Sequence, residues 1–339
     1  LELALTFAGK APATEPVVSF GLANMWFYAL KRTGLAVVIV AVAVLLLFSL
    51  LHMIPGDPIS IALGPRATPE IIERYTEKMH LNDPIVVQFF IFLKNAATGD
   101  LGVDVFSERS VALILGEQLP YTLILAVVGL GWAVLLGIPL GCVSAIRPNS
   151  LLDRITGLLS VGTIAVPSFL VSIWALLIFA IHLKWLPVIG AGESGDIMDQ
   201  IHHLILPAFA VGLGWVGYLA RLVRASMLEV MGENYIRAAR SFGLSQRTVI
   251  YRYALKVAIL PTITLIGIGF GNLLAGAVYA EIIFARPGIG KLIYDMVMSR
   301  NFPVIQGAVL ITTALYVVIT LFADLMVAWM DPRVRESLL

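Results

Sequence analysis

Glu229-Val-Met-Gly-Glu-Asn-Tyr-Ile-Arg-Ala-Ala-Arg-Ser-Phe-Gly-Leu-Ser245, continuing to Ala258-Ile-Leu-Pro261, is a basic, helix-friendly stretch wedged between two long apolar segments. Hydrocarbon cannot hold it, so it must lie in water beside a membrane. From Arg221 to Lys256 there are seven cationic side chains (Arg221, Arg224, Arg237, Arg240, Arg247, Arg252, Lys256) against two acids, Glu229 and Glu233. The positive-inside rule assigns that excess to the cytoplasmic face. Glu233 to Phe242 reads as a short helix in which Ala238 and Ala239 form a shallow face flanked by Arg237 and Arg240. Gly243 supplies a left-handed stop, and Ser245 caps a second helix running through Tyr251 towards Pro261. Such a knob fits a docking partner, with the arginines providing steering and charge pairing. An amphipathic helix resting on anionic lipid is the alternative.

Working outward, the chain is 59% hydrophobic and 13% charged over 339 residues, where soluble domains carry about 25% charged residues. The expected fold class is an all-α polytopic membrane protein with six transmembrane helices. Each apolar run reaches the length of about 20 residues that a bilayer core requires. The spans are predicted at about 34–53, 120–146, 155–181, 204–221, 259–284 and 305–330. Pro55 and Pro58 stop the first, Pro167 kinks or opens the third, and Asp331-Pro332 stops the last. Gly137 and Gly141 are spaced for close helix contact. The single cysteine, Cys142, lies in an apolar run and reads as a small packing residue.

Charge sets the orientation. Alternate connections hold 13 Lys and Arg: Lys31, Arg32, Arg147, Arg154, Arg333 and Arg335 with the seven of 221–256. The opposite side holds nine, five of them in one long segment, 54–110, and long segments translocate with little regard to charge. Both termini are therefore expected in the cytoplasm. Segment 54–110 is expected to form a small helical outer cap, with Thr68-Pro69-Glu70 starting a helix through about Met79 and a second helix at about Pro84–Ala97. Residues 1–30 read as an N-terminal extension and lead-in, and 31–339 as the transmembrane domain. Residues 1–24 lack the basic start of a secretory signal and carry no assigned function.

Several motifs point elsewhere and fail on context. Gly212-Leu-Gly214-Trp-Val-Gly217 matches a dinucleotide fingerprint but lies within a span, so helix packing is the better reading. Pro287-Gly288-Ile-Gly290-Lys291-Leu292 resembles the end of a phosphate loop, but Leu292 stands where a hydroxyl must reach magnesium. His202 and His203 point to different helix faces and suit an interfacial polar role better than a metal. Carriers driven by protons or ions place ionisable groups deep in the bilayer. Here the span middles hold Ser, Thr, Gly and Asn272, with Glu281, His182 and Arg221 near span ends and Asp324 assigned to the cytoplasmic interface. A pump built from this chain must draw its energy from an attached subunit, whereas a passive channel needs none. Ser168 and Asn272 are the candidates for a translocation path.

The stretch from Gly232 to Ser245 with Ala258-Ile-Leu-Pro261 resembles the EAA loop of ABC importer permeases, most closely the dipeptide/oligopeptide/nickel group. Further stretches agree in order along the chain: His52-Met-Ile-Pro-Gly-Asp-Pro58, Gly99-Asp-Leu-Gly102, Gln118-Leu-Pro-Tyr-Thr122, Arg224-Ala-Ser-Met-Leu-Glu-Val230, Glu281-Ile-Ile-Phe-Ala-Arg-Pro-Gly-Ile-Gly290, Phe302-Pro-Val-Ile-Gln-Gly307 and Asp331-Pro-Arg-Val-Arg335. The resemblance implies a bacterial inner-membrane permease whose coupling helix docks into a cytoplasmic ATPase. Its coupling set would be Glu233, Tyr235, Arg237, Ala238, Ala239, Arg240, Gly243, Ser245 and Pro261. Arg237 stands where the general motif has a glutamate, and Gly243 lies farther from Pro261 than in the general form. Implied partners are a second permease, two ATPase subunits that bind the ATP and magnesium, and an extracytoplasmic substrate-binding protein; no nucleic acid is involved. Implied cargo is a dipeptide or oligopeptide, with nickel chelates, glutathione or opines as alternatives.

Overall fold

The computed structural model describes residues 22–53, 63–64, 67–78 and 80–330. In chain order its helices are α1, Leu22–His52; α2, Pro69–Lys78; α3, Ile85–Ala97; α4, Val111–Ile146; and α5, Leu151–Ala165. Then come α6, Ser168–Ala175, with a π-helical continuation Leu176–His182; α7, Ile197–Met231; and α8, Asn234–Ser241. After α9, Gln246–Thr248, and a π-helical stretch Val249–Ala254 follow α10, Leu255–Ala258; α11, Leu260–Ile283; α12, Ile289–Met298; and α13, Phe302–Met330. Among the described residues the β-type pairing is one antiparallel bridge, Val103 with Ser110. The expected stops at Pro55, Pro58 and Asp331-Pro332, and the bulk of the N-terminal extension, lie outside the described residues.

Five helices, α1, α4, α7, α11 and α13, are long and apolar enough to cross a bilayer, and the apolar pair α5–α6, bent by 98° between its halves, brings the number to six when counted as one span. The bend falls at Val166 and Pro167, both extended in backbone, where proline withholds the N–H that a continuous helix would use. Two spans differ from expectation in length. Helix α4 begins at Val111 and carries Pro120 inside it on an exposed face, and Gly116, whose carbonyl the proline leaves unpaired, is exposed too. Helix α7 runs from an Asp196 cap, which accepts from the N–H groups of Met198 and Asp199, to Met231. It passes beyond Arg221 because Arg224, one turn on, has a carboxylate partner.

Helices α4 and α7 form the central pair. Along α4 the small residues Gly129, Gly137 and Gly141 face α7, where an added Cβ would lie 2.6 Å from Val211, 2.9 Å from Leu219 and 2.8 Å from Val223. Their missing side chains let the two backbones close. The Gly212–Gly217 match serves the same end, Gly212 lying against Gly129 and Trp132, and Gly217 against Ser160 and Thr163 of α5. Around this pair Leu125, Leu130, Val211, Leu273 and Ala277 build the main apolar core. Helix α5 is turned inside out relative to a soluble helix. It buries Asp153, Thr156 and Ser160 and exposes Leu151, Leu158 and Leu159, as a lipid-facing helix should.

The end of the bundle that carries α8 is the basic end; the opposite is the far end. Asp324 pairs with Arg32 at 3.1 Å at the basic end, which accounts for a charge so close to the last span. At the far end α2 and α3 form a helical cap. Thr68 accepts from the Ile71 N–H at the start of α2, and α3 is pinned to α1 by Phe89 and Phe92 packed on Phe48. Asp104 ties the cap to the turn before α13, accepting from the N–H groups of Phe106 and Ser107 at 3.1 Å and from the Asn301 amide.

Candidate functional site

Helix α8 is eight residues long and two-faced. Ile236 and Ala239, three apart, point inward and are buried against Cys142 and Ala145 of α4, Val223 and Met227 of α7, and Val249, Ile250 and Ala254. Cys142 thus packs as a small residue should. The expectation that Ala238 and Ala239 share one outward face is corrected here. Adjacent residues on a helix are rotated by about 100°, so Ala239 is 6% exposed while Ala238 stands in solvent. The outward face comprises Ala238, Arg237, Arg240, Ser241, a half-exposed Tyr235 and Phe242, which is 85% exposed.

The ends of the knob follow the sequence reading. Glu233 precedes the first turn in extended backbone, and its side chain makes no cap bond. Gly243 has φ +76°, and the Leu244 N–H reaches back to the Ala239 carbonyl, a left-handed helix stop. Ser245 accepts from the Thr248 N–H at 3.3 Å and so caps the next helix. Pro261 falls in the first turn of α11, where a missing N–H costs nothing. Arg237 donates to the Asn234 side-chain oxygen at 2.5 Å, which sets its direction along the outer face.

A second feature is a cavity of about 390 Å³ on the flank of the bundle. The α5–α6 bend supplies Val166 and Ser168, α7 supplies Trp215 and Tyr218, and α11 supplies Ile268 and Asn272. Ser168 and Asn272, proposed from sequence alone, therefore line one wall. Trp215 and Tyr218 were missed because aromatic residues in a span read first as packing. Among the described residues no Asp, Glu, Lys, Arg or His lines this cavity.

Two buried polar clusters were also missed. At the basic end Asp153 accepts from Arg224 Nε at 2.5 Å and Nη2 at 2.8 Å, from the Asn149 N–H at 2.9 Å, and from the Ser144 hydroxyl. One sequence signal was available, an acid set between Arg147 and Arg154 just ahead of an apolar run. At the far end Glu281 is 0% exposed. It accepts from the Thr122 hydroxyl at 2.6 Å and the Lys291 N–H at 2.9 Å, and the Ile289 N–H donates to Thr122 at 2.8 Å. The phosphate-loop lookalike thus holds a carboxyl group supplied by its own chain. A Cβ on Gly288 would strike the Glu281 carboxylate. Arg286, 3% exposed, lies 5.7 Å from the Tyr121 ring centroid, and its Nε and Nη1 have no hydrogen-bond partner. Burial pulls its guanidinium below the usual arginine range, and the Glu281 charge offsets part of that. His203 bonds the Asp199 carbonyl at 2.8 Å; among the described residues no cluster of three or more His, Cys, Asp or Glu could hold a metal.

The chain as a whole has relatives among known proteins. Residues 137–336 match the family described as binding-protein-dependent transport system inner membrane component, and residues 25–126 match the N-terminal region of the same kind of component. The chain belongs to this permease family. The dipeptide transport system permease protein DppB of Alkalihalophilus pseudofirmus is 34% identical over 332 residues, covering 92% of this chain and all of that one. The glutathione transport system permease protein GsiC of Escherichia coli K12 is 34% identical over 309 residues, covering 91% of this chain and 98% of that one. The inward-facing MetNI methionine ABC transporter contains a chain of the same fold, with TM-score 0.52, 17% identity, and 65% of this chain and 97% of that one covered. The permease is a multi-pass inner-membrane protein, as its spans and its family require.

Proposed function

We propose that this permease forms half of the translocation pathway of an ATP-binding-cassette importer for small peptides. Its energy comes from two separate ATPase subunits that bind the ATP and magnesium. The observation that carries this reading is the division of α8 into two faces. Ile236 and Ala239 seat it in a cluster with α4, α7 and residues 249–254, while Ala238 and Phe242 stay exposed between arginines. A helix fastened on one side and bare on the other transmits force from a partner into the spans. Arg237 and Arg240 steer that partner, and Gly243, Ser245 and Pro261 fix how the knob leaves the bundle. Glu233 adds the one acid at its entrance.

The seven cations of the basic end favour the cytoplasm for that face, and hence for both termini. The far-end cap then meets an extracytoplasmic substrate-binding protein, and the walled flank at Ser168 and Asn272 closes against a second permease. Peptide cargo is favoured by the dipeptide permease relative; glutathione is the second reading, favoured by the GsiC relative. A neutral cavity suits either, since it gives selectivity to the binding protein. The test is uptake of labelled dipeptides and glutathione by proteoliposomes holding the complete transporter. Uptake should require ATP. Gly243→Val places a β-branched residue at φ +76°, a conformation such residues avoid. It should abolish uptake while the spans remain inserted and ATP hydrolysis continues. ATP-independent uptake would instead mark a passive channel, and wild-type uptake by the variant would remove the hinge from the mechanism.

A further inference from the structure

We propose that Arg224 and Asp153 are positioning residues that carry the displacement of α8 into α5, and through α5 to the bend beside the cavity. The proposal rests on the importer reading above. Ser144, Asp153 and Arg224 come from α4, α5 and α7 respectively, so one carboxylate joins three helices. The inward residues of α8 press on the same turns. Val223 and Met227 flank Arg224 on α7, and Cys142 and Ala145 flank Ser144 on α4. Their cluster also holds Val249, Ile250 and Ala254, so a movement of α8 passes through the π-helical stretch and the shared cluster to the turns that grip Asp153.

From Asp153 the motion has one stiff route. Helix α5 lies along α7 through its buried polar stripe, Asp153, Thr156 and Ser160, and Gly217 lets Ser160 and Thr163 come close. Leu151, Leu158 and Leu159 face outward, where fluid lipid offers no restraint. Fifteen residues of helix end at the 98° bend, and the next residues, Val166 and Ser168, are cavity wall. A rod held by a fork at one end and free at a proline break at the other converts a rotation of its base into a change of cavity width.

The chemistry of the joint fits this role. Arg224 meets both carboxylate oxygens, through Nε and Nη2, so it resists twisting as a single-point contact would not. The other ion pairs differ. Arg74–Glu108 and Arg109–Glu117 are exposed, Lys291–Asp295 lies within one helix, and Arg32–Asp324 joins α1 to α13 away from α8. The Arg224 side chain is 33% exposed while Asp153 is 7% exposed. The pair is anchored on one side and free to adjust on the other.

The experiment uses the complete transporter in proteoliposomes, with Asp153→Asn and Arg224→Lys, and dipeptide uptake and ATP hydrolysis measured together. Asp153→Asn keeps the size but has no charge and only one acceptor oxygen, while Arg224→Lys keeps the charge but, with a single nitrogen, cannot form the fork. Peptide taken up per ATP hydrolysed should fall about tenfold or more, the range of a coupling free energy between sites, while hydrolysis stays near wild type. A second readout uses spin labels at Ser241 on α8 and Phe169 beyond the bend, in a Cys142→Ala background. On ATP addition both labels should move in the unaltered protein, and only the Ser241 label in the variants. Normal coupling in both variants overturns the proposal. Parallel loss of uptake, hydrolysis and assembled complex also overturns it, because the pair is then a structural staple. If the unaltered transporter shows no ATP-dependent uptake, the importer reading itself has failed, which is a different result.

Discussion

At the basic end Asp153 meets the two-pronged guanidinium of Arg224, whereas at the far end Glu281 is held by a hydroxyl and a peptide N–H inside a glycine turn. The first carboxylate keeps a partly wet partner and depends on angle. The second is dry, and the buried Arg286 nearby leaves two nitrogens without hydrogen bonds. Opening the first returns the Arg224 head, 33% exposed, to water and leaves Asp153 with its hydroxyl and peptide donors. Opening the second strands several buried polar groups at once. One end is thus built as a joint and the other as an anchor, although each is centred on one acid.

The sharpest way to break that contrast is Glu281→Ala. It leaves the Thr122 hydroxyl and the Lys291 N–H unpaired and removes the countercharge from Arg286. Each buried donor left without its acceptor costs about 1–3 kcal/mol, so the purified complex should melt well below wild type or fail to assemble. An unchanged melting temperature would mean the far end is no anchor. Next is Gly141→Val at the basic end. The added side chain meets Val223 and the Ala220 carbonyl, and a backbone atom cannot step aside. Overpacking of about 1–3 kcal/mol is expected, with α4 and α7 pushed apart next to Ser144 and Arg224. Thermal unfolding and uptake would both register it.

The smallest effect sharpens the far end further. Burial raises the Asp104 carboxyl, but the Ser107 hydroxyl, the Phe106 N–H and the Asn301 amide outweigh it and hold the group below its ordinary value. A depressed folded value means the contribution is present above the unfolded value of about 4 and is lost as pH falls through the folded one. Asp104→Asn should cost about 1–2 kcal/mol at neutral pH. Limited proteolysis of residues 67–110 should show wild type loosening in acid and the variant already loosened at pH 7. Identical acid profiles would detach Asp104 from the cap's stability.

The spans, the cap helices, the Gly243 stop and the Ser245 cap were legible because each depends on residues close in sequence: apolar runs, a proline, a glycine, a hydroxyl. The corrections share the opposite property. Which way Ala239 points depends on Val223 and Met227, which precede it by more than ten residues and lie on another helix. The role of Glu281 depends on Thr122, 159 residues away in the chain. The length of α7 beyond Arg221 depends on Asp153, 71 residues before Arg224. A carboxylate near a span end looks solvated in one dimension, and only the fold decides whether water reaches it. Ser168 and Asn272 meet in one wall because the break at Pro167 turns the chain towards α11, a turn whose angle no local pattern specifies.

Helix α8 has eight residues, and its inner side is completed by α4, α7 and the π-helical stretch. Isolated helices shorter than about 12–15 residues are marginal in water. A peptide excised from 229–245 would therefore unravel, and with it the relief of Phe242 against its arginines. Whatever reads this surface reads a shape that exists only while the parent bundle stands behind it. A copy whose bundle has not formed presents no such shape to a partner.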